Sequence, residues 1–135
     1  MKVLFVCRAN GGRSPMAEAF FNKLSRRGRA SSAGVEVAKG GEVGTPANPN
    51  NVKVMKEIGY DISKHRRKQL TRQMTSSADV IVFMASRKKL PGYLTGSKKV
   101  RFWRVLNPRG QSMATRRRIR DAIRDKVKRL AKEAG

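Results

Sequence analysis

The sequence predicts an α/β fold, a single domain in which helices cover both faces of a parallel sheet. Two apolar runs, residues 3–6 and 80–84, lack any alternation with polar side chains, which is typical of strands buried on both faces. Segments in which apolar residues recur at helical spacing separate the predicted strands. The length of 135 residues fits one domain, residues 1–135, that is large enough to bury a core.

The first half of the chain is predicted to begin with a strand, a loop and a helix. After the strand at residues 3–6, Ser14 is expected to cap a helix that has Pro15 at its first position. A second strand is expected at about residues 30–37. The glycines and prolines of residues 38–50 then indicate a loop.

The second half alternates helices and strands in the same way, and Asp79 is expected to support the strand that follows it. The first predicted elements are a helix over residues 52–58 that ends at Gly59, a short helix from Ser63 through Leu70 and a strand at residues 80–84. At most a short helix is expected within residues 86–96. A strand at residues 100–105, a turn at residues 107–110 and a helix from Thr115 almost to the end complete the predicted order. In such folds ligands bind beyond the carboxyl ends of the strands, where Cys7 lies.

Charge and cysteine content restrict the class of protein. The 32 Lys and Arg residues against 9 Asp and Glu residues give a net charge of +23, which attracts anions. Cys7 is the only cysteine, so no internal disulfide can form and nothing indicates secretion. No stretch is long and apolar enough for a signal peptide core or a membrane span. We therefore expect a cytoplasmic monomer that does not bind membranes.

The loop at residues 7–14, CRANGGRS, carries the candidate chemistry. Backbone N–H groups of a tight loop that leads into a helix form a site for a tetrahedral anion, and Gly11 and Gly12 allow the backbone angles that such a loop needs. Asn10 tolerates a left-handed conformation. Arg13 offers a planar fork for two phosphate oxygens. The pattern predicts a binding site for phosphate or another oxyanion.

Cys7 is predicted to act as a nucleophile in this loop. A helix start and neighbouring guanidinium groups favour the thiolate form of a cysteine, which can attack phosphorus. Ser14 could donate a hydrogen bond that helps the sulfur to leave again. The competing interpretation is that Cys7 is merely a small buried side chain. The arginine, serine and proline that follow at fixed spacing favour the anion site.

The opening VLFVC-x5-RSPMAEA resembles that of the low-molecular-weight protein tyrosine phosphatases and of the related thioredoxin-coupled arsenate reductases. Weaker similarity continues through most of the chain, at residues 32–34, 59–65, 78–81 and 103–108. The resemblance implies a four-stranded parallel sheet flanked by helices on both faces. It also implies phosphomonoester hydrolysis through a phosphocysteine, without a metal or an organic cofactor.

Residue roles carried over from the resemblance all fall in the loop. Cys7 would be the nucleophile, Arg13 the phosphate-binding arginine, Asn10 the residue that shapes the loop and Ser14 the hydroxyl beside the thiolate. Backbone donors would come from Arg8, Ala9, Asn10, Gly11 and Gly12. The resemblance implies a phosphorylated protein or a small phosphoryl compound as substrate.

Asn107 departs from the family pattern, in which an aspartate before Pro108 protonates the leaving oxygen. An amide has no proton to give at neutral pH, and general acid catalysis is typically worth about 10²–10⁴ in rate. The enzyme could be slow or act on esters with better leaving groups. Alternatively, Asn107 keeps binding and weakens turnover, or another acid such as Asp61, Asp79 or Asp121 serves.

Two other functions remain open at this point. Arsenate reduction would require an external thiol, because Cys7 has no resolving cysteine and the position beside Arg13 is Gly12. A catalytically weak module could instead hold phosphate, or bind nucleic acid weakly through the basic residues 115–120. Aromatic residues do not interleave with this basic run, so no stacking platform for single strands is evident. His65 matches a family position without a chemical role that follows from its surroundings.

Overall fold

The computed structural model describes residues 1–134 and contains four parallel strands in the order β2-β1-β3-β4. The strands are β1 Lys2–Cys7, β2 Arg29–Gly34, β3 Val80–Phe83 and β4 Val100–Phe102. Cys7 at the end of β1 stands opposite Gly34 at the end of β2, and Val6 stands opposite Phe83. The predicted four-stranded parallel sheet is confirmed, and Cys7 lies at the carboxyl edge of its central part.

Helices cover both faces of this sheet, as predicted. They are α1 Arg13–Leu24, α2 Pro49–Lys56, α3 Arg72–Ser77 and α4 Met113–Glu133, with single 3₁₀ turns at Val37–Lys39, Arg87–Lys89 and Gly92–Leu94. Alternate residues of β1 point to opposite faces. Val3 and Phe5 pack with side chains of α1, α2 and α4, whereas Leu4 and Val6 pack with residues around α3 and the later 3₁₀ turns.

The predicted helix from Ser63 through Leu70 is wrong. After a turn at residues 63–64, closed by His65 N donating to Ile62 O, the segment is extended because its backbone groups bond to distant parts of the chain. Lys68 and Leu70 bond the backbone of Gly34 on either side, and Arg67 N donates to Thr45 O at 2.9 Å. The segment therefore lies beside the end of β2, next to the loop that follows β1.

Several element ends also differ from the predictions. Ser14 does not cap α1, which begins at Arg13 after Gly12 without a side-chain cap. Helix α4 begins at residue 113 because the hydroxyl of Ser112 accepts a hydrogen bond from Thr115 N, two residues before the predicted start. The strands predicted at residues 30–37 and 100–105 end at residues 34 and 102. Beyond these points the chain turns to build the candidate site.

Candidate active site

The loop between β1 and α1, residues 8–12, has unpaired backbone N–H groups. Its carbonyl oxygens, by contrast, bond to the surrounding chain. The donors are Val35 N, Glu36 N, Arg67 Nη1 and Asn48 N, which bond the carbonyls of Cys7, Arg8, Ala9 and Gly11. The N–H groups of residues 8–12 have no acceptor within residues 1–134. Unpaired N–H groups in a tight loop before a helix form an anion-binding nest.

Asn10 maintains the bend of this loop. Its φ of 55° is the only positive value at a non-glycine residue in the described chain. The amide nitrogen Nδ2 donates to Ser14 Oγ at 2.8 Å and to Ser32 Oγ at 3.0 Å. The oxygen Oδ1 accepts from Lys68 N at 2.9 Å and lies 2.9 Å from His65 Nε2. These four contacts hold Asn10 in a conformation that non-glycine residues seldom adopt.

A chain of hydrogen bonds runs from Glu18 to the sulfur of Cys7. Ser32 Oγ donates to Glu18 Oε1 at 2.6 Å and accepts from Asn10. Ser14 Oγ also accepts from Asn10 and lies 2.9 Å from Cys7 Sγ. Because an amide proton already points at the Ser14 oxygen, the Ser14 hydroxyl proton goes to another acceptor. The sulfur at 2.9 Å is nearer than the alternative, Ala33 O at 3.4 Å. The arrangement suits a sulfur that carries negative charge.

Arg13, the first residue of α1, is anchored by backbone carbonyls. Its Nη1 donates to Met84 O at 2.7 Å and to Val105 O at 3.0 Å, so the ends of β3 and of the segment after β4 orient the guanidinium. Burial lowers the pKa of Arg13, and the nearby Cys7 opposes this shift. An arginine stays protonated in proteins all the same. Its remaining nitrogens are left for a ligand.

Arg67 fills the space beside Gly11, a contact that the sequence does not reveal. Its Nε donates to Pro46 O at 3.0 Å and its Nη1 to Ala9 O at 3.2 Å. A Cβ at Gly11 would lie 2.3 Å from Arg67 Nη1, so a larger residue there would displace this guanidinium. Burial lowers the pKa of Arg67. The side chain lies 7% exposed, with no carboxylate bonded to it in residues 1–134.

Asn51 of α2 and Arg116 of α4 support the loop from the other side. Asn51 Nδ2 donates to Gly11 O at 3.0 Å, and Asn51 Oδ1 accepts from Arg116 Nη1 at 2.7 Å. Arg116 is buried, and its Nε donates to Gln111 O. A Cβ at Gly12 would lie 2.6 Å from Asn51 Nδ2, which explains why glycine stands there. Two helices distant in sequence therefore fix the loop.

A cavity with a volume of about 100 Å³ opens over this loop. One water needs about 10–15 Å³ of such space, so the cavity can hold a small anion. Its lining residues are Cys7, Arg8, Ala9, Gly11, Gly12, Arg13, Lys39, Gly40, Asn48, Asn51, Arg67, Asn107, Pro108, Arg109 and Arg116. All the predicted site residues line it except Asn10 and Ser14, which lie behind the loop.

Asn107 lies at the mouth of this cavity, on the segment between β4 and α4. Its Oδ1 accepts a hydrogen bond from Arg109 N at 3.1 Å, the geometry of a turn stabilised by an asparagine side chain. Arg109 Nη1 in turn donates to Lys39 O at 2.9 Å, so the two sides of the mouth touch each other. The three other acids considered from the sequence, Asp61, Asp79 and Asp121, are absent from the cavity lining.

His65 stabilises the loop from behind in its neutral form. Burial lowers the pKa of His65 from 6.5 to about 4, and Lys68 adds to this shift. The unfolded chain therefore binds a proton between about pH 6.5 and pH 4 that the folded chain does not bind. The free energy of unfolding is highest above pH 6.5 and falls as the pH drops toward 4. Because the ring is only partly buried, we expect a loss of about 1–2 kcal/mol.

Thermal unfolding of the wild type and of His65→Gln at pH 7.5 and pH 4.5 measures this effect. Glutamine can still donate to Asn10 Oδ1, so the variant keeps the hydrogen bond but has no titrating ring. We expect the stability difference between the two pH values to be about 1–2 kcal/mol smaller in His65→Gln. An equal pH dependence in both proteins would contradict a buried neutral His65.

Two features are absent from residues 1–134, a membrane-spanning helix and a cluster of metal-ligating side chains. None of the helices within residues 1–134 is both long enough and apolar enough to cross a bilayer. No group of three or more His, Cys, Asp and Glu side chains in that part of the chain could hold a metal ion.

Known proteins similar to this chain include phosphatases and arsenate reductases. A probable low molecular weight protein-tyrosine-phosphatase, EpsP of Ralstonia solanacearum, is 40% identical over 87 residues, which cover 64% of this chain and 57% of that protein. The match thus spans little more than half the length of this relative. An arsenate reductase of Brevibacillus brevis is 34% identical over 132 residues, covering 96% of this chain and 92% of the relative.

The fold and the family match extend over nearly the whole chain. The crystal structure of a low molecular weight protein tyrosine phosphatase from T. tengcongensis superposes with a TM-score of 0.85 at 32% identity, covering 98% of this chain and 99% of that one. The family model described as low molecular weight phosphotyrosine protein phosphatase matches residues 2–135. The chain belongs to the low molecular weight phosphotyrosine protein phosphatase family.

Proposed function

We propose that this protein hydrolyses phosphomonoesters through a phosphocysteine on Cys7. The observation that supports this most is the set of unpaired N–H groups of residues 8–12. All of these residues except Asn10 line the cavity together with Cys7 and Arg13. Such donors, fixed before the substrate arrives, stabilise the charge that develops on the equatorial oxygens of a transferring phosphoryl group. Membership of a phosphatase family supports the same activity.

The proposed reaction has two steps. The Cys7 thiolate attacks phosphorus, an S–P bond forms, and the P–O bond to the leaving group breaks. A water molecule then attacks the phosphocysteine, the S–P bond breaks, and inorganic phosphate leaves. In this second step the Ser14 hydroxyl, 2.9 Å from the sulfur, stabilises the thiolate as it is released. Arg13 binds the phosphoryl oxygens in both steps.

The leaving oxygen receives no proton from Asn107 in this scheme. The amide lines the cavity, at the position where the resemblance implies an aspartate, but it is not an acid. The leaving group must therefore depart as an anion or take a proton from water. We propose that the enzyme acts on phosphoryl compounds with good leaving groups and is slow on phosphotyrosine itself, whose phenol has a pKa of about 10.

Hydrolysis of 4-nitrophenyl phosphate and of phenyl phosphate tests this function. We expect kcat/KM to be at least about 10²-fold lower for phenyl phosphate, because the poorer leaving group needs the missing acid. Equal rates for the two esters would mean that another group donates the proton. Failure to hydrolyse either ester while inorganic phosphate still binds would favour a binding module instead.

Arsenate reduction is a second candidate, favoured by the relative from Brevibacillus brevis that matches nearly end to end. The same loop would hold arsenate, and Cys7 would attack arsenic. Cys7 is the only cysteine of the chain, so an external thiol would have to resolve the resulting sulfur–arsenic adduct and supply the electrons. Because of this requirement, we rank arsenate reduction below phosphomonoester hydrolysis.

Weak nucleic-acid binding remains a prediction from the charge of +23. Part of the basic run at the start of α4 serves the fold instead. Arg116 bonds to Asn51, and Arg120 is buried against Glu57 and Asp121. Arg118, in contrast, is exposed. A polyanion could reach only the exposed members of this run.

A further inference from the structure

The cavity is lined by cations, and it lacks both carboxylates and aromatic rings within residues 1–134. Its charged lining residues are Arg8, Arg13, Lys39, Arg67, Arg109 and Arg116. Of these six, only Arg8 lies beside a carboxylate, that of Glu36 at 3.4 Å. A phenyl ring would therefore find no aromatic surface to stack on, and a cationic substrate would meet six like charges. The lining suits an anion that carries more negative charge than a single phosphoryl group.

The charge of the cavity can be compared with the charge that a bound phosphomonoester brings. Six cations and one carboxylate give the cavity a charge of +5, counting Glu36 as fully paired with Arg8. A phosphoryl dianion and the Cys7 thiolate together supply a charge of about −3. A surplus of two positive charges would remain, which corresponds to the exposed Lys39 and Arg109, because the three buried arginines are then already offset. A second anionic group on the substrate would offset it.

Three of the cations are buried, although burial of an unpaired charge is unfavourable. Arg13, Arg67 and Arg116 are 7%, 7% and 4% exposed, and their hydrogen bonds go to carbonyl or amide oxygens rather than to carboxylates. Taking a guanidinium out of water without a counter-charge costs free energy. Three such groups around one cavity indicate that their counter-charge arrives with the ligand.

The position for a second anion lies where the segment around Lys39 meets Arg109. Arg109 Nη1 donates to the backbone oxygen of Lys39 at 2.9 Å, and both residues line the cavity. A Cβ at Gly40 would lie 3.5 Å from Arg67 Nη1, so the buried Arg67 is close to this segment. Lys39 and Arg109 are exposed. We name Lys39, Arg67 and Arg109 the rim cations.

We propose that the substrate is a small phosphomonoester that carries a second anionic group, a carboxylate or another phosphate, held by the rim cations. This inference rests on the proposed function, since it assigns the scissile phosphoryl group to the loop at residues 8–12. The rim cations then select among phosphomonoesters by charge. Esters with a positive group at the same distance from the phosphoryl group are rejected.

Binding of three phosphonates that share one skeleton and carry a neutral, a negative or a positive para position tests the proposal. The probes are benzylphosphonate, 4-carboxybenzylphosphonate and 4-(aminomethyl)benzylphosphonate, whose P–C bond is not cleaved, so affinity is measured without turnover. Calorimetry gives each Kd at a fixed ionic strength. We expect 4-carboxybenzylphosphonate to bind about tenfold tighter than benzylphosphonate, and 4-(aminomethyl)benzylphosphonate about tenfold weaker. This factor corresponds to one charge pair about 6 Å apart at an effective dielectric constant of about 40.

Variants locate the effect at the rim. In Lys39→Gln/Arg109→Gln we expect the preference for the carboxylate to shrink to about twofold, whereas the parent phosphonate loses much less affinity. Arg118→Gln removes an exposed charge that does not line the cavity, and it should leave the tenfold preference unchanged. An equal loss of preference in both proteins would overturn the rim site in favour of the overall field of the molecule.

The outcomes separate this inference from the proposed function. If all three phosphonates bind equally well, the second anionic group is refuted while the phosphoryl site stands. If none binds, both proposals fail. If the preference is found but neither 4-nitrophenyl phosphate nor phenyl phosphate is hydrolysed, the hydrolase fails and the charge selection stands as a property of a binding site.

Discussion

Replacement of Cys7 by serine is expected to lower kcat/KM for 4-nitrophenyl phosphate by at least about 10⁴-fold, because loss of a catalytic nucleophile removes most of the rate enhancement of such enzymes. The serine hydroxyl has nearly the shape of the thiol, but it is not ionised at neutral pH. No group in the cavity can take its proton, since the described lining contains neither a carboxylate nor a histidine. Steady-state hydrolysis at pH 7 measures the loss.

Binding of inorganic phosphate provides the control for Cys7→Ser. The unpaired N–H groups of residues 8–12 and the Arg13 guanidinium are unchanged in this variant, so its Kd for phosphate should stay within a few-fold of the wild type. A variant that binds phosphate and has lost hydrolysis identifies Cys7 as the nucleophile. Hydrolysis that survives in Cys7→Ser would show that the phosphoryl group is transferred directly to water or to another residue.

Most of the fold could be predicted because its signals are local in sequence. The apolar runs at residues 3–6 and 80–84 are strands, and the stripe of Ile119, Ile123 and Val127 packs α4 against α1. The segment at residues 63–70 was mispredicted for the opposite reason. A serine followed by polar and basic residues is compatible with a capped helix, and only the acceptors offered by Gly34 and Thr45 make it extended.

The residues of the candidate site likewise fall into those that the sequence could predict and those that it could not. The loop from Cys7 to Ser14 is continuous in sequence, so its anion-binding character could be predicted from the residue types and their order. Arg67 and Arg116 could not be assigned to the site. Each lies in a run of basic residues of similar character, Arg67 within residues 64–68 and Arg116 within residues 116–118. Only the fold selects one arginine from each run and buries it beside Gly11 or Asn51.

Gly11 and Gly12 illustrate why the space around a residue escapes prediction. Both glycines were expected to serve the backbone angles of the loop. In the structure neither has a positive φ, and each instead leaves room for a neighbouring side chain, Arg67 at Gly11 and Asn51 at Gly12. The positive φ belongs to Asn10, as its residue type allowed. A glycine in a sequence does not say whether it is needed for its torsion angles or for the space beside it.

Introducing an acid at position 107 is expected to have the opposite effect to the loss of Cys7. In Asn107→Asp we expect kcat/KM for phenyl phosphate to rise by about 10²–10³-fold, within the range of general acid catalysis. For 4-nitrophenyl phosphate, whose leaving group needs little protonation, the rise should be less than about tenfold. One carboxylate oxygen can keep the hydrogen bond from Arg109 N that Asn107 Oδ1 now accepts, while the other carries the proton.

The pH dependence of the gain follows from the charges around residue 107. Arg109 and the other cations of the cavity stabilise the ionised carboxylate of the variant, so the protonated acid exists mainly at low pH. The gain on phenyl phosphate should therefore be largest below about pH 5 and shrink toward pH 7, because the unperturbed pKa of an aspartate is about 3.9. The profile of kcat/KM against pH measures this.

Asn48→Asp is the matched control for Asn107→Asp. Asn48 also lines the cavity, and its side chain accepts a hydrogen bond from Asn50 N at the start of α2, where aspartate caps as well as asparagine does. This variant adds the same negative charge to the cavity from α2 instead of from the segment before α4. We expect no gain on phenyl phosphate. If both variants gained equally, the added charge rather than a positioned proton donor would be the cause. A gain confined to Asn107→Asp would identify position 107 as the place from which a proton donor serves the leaving group.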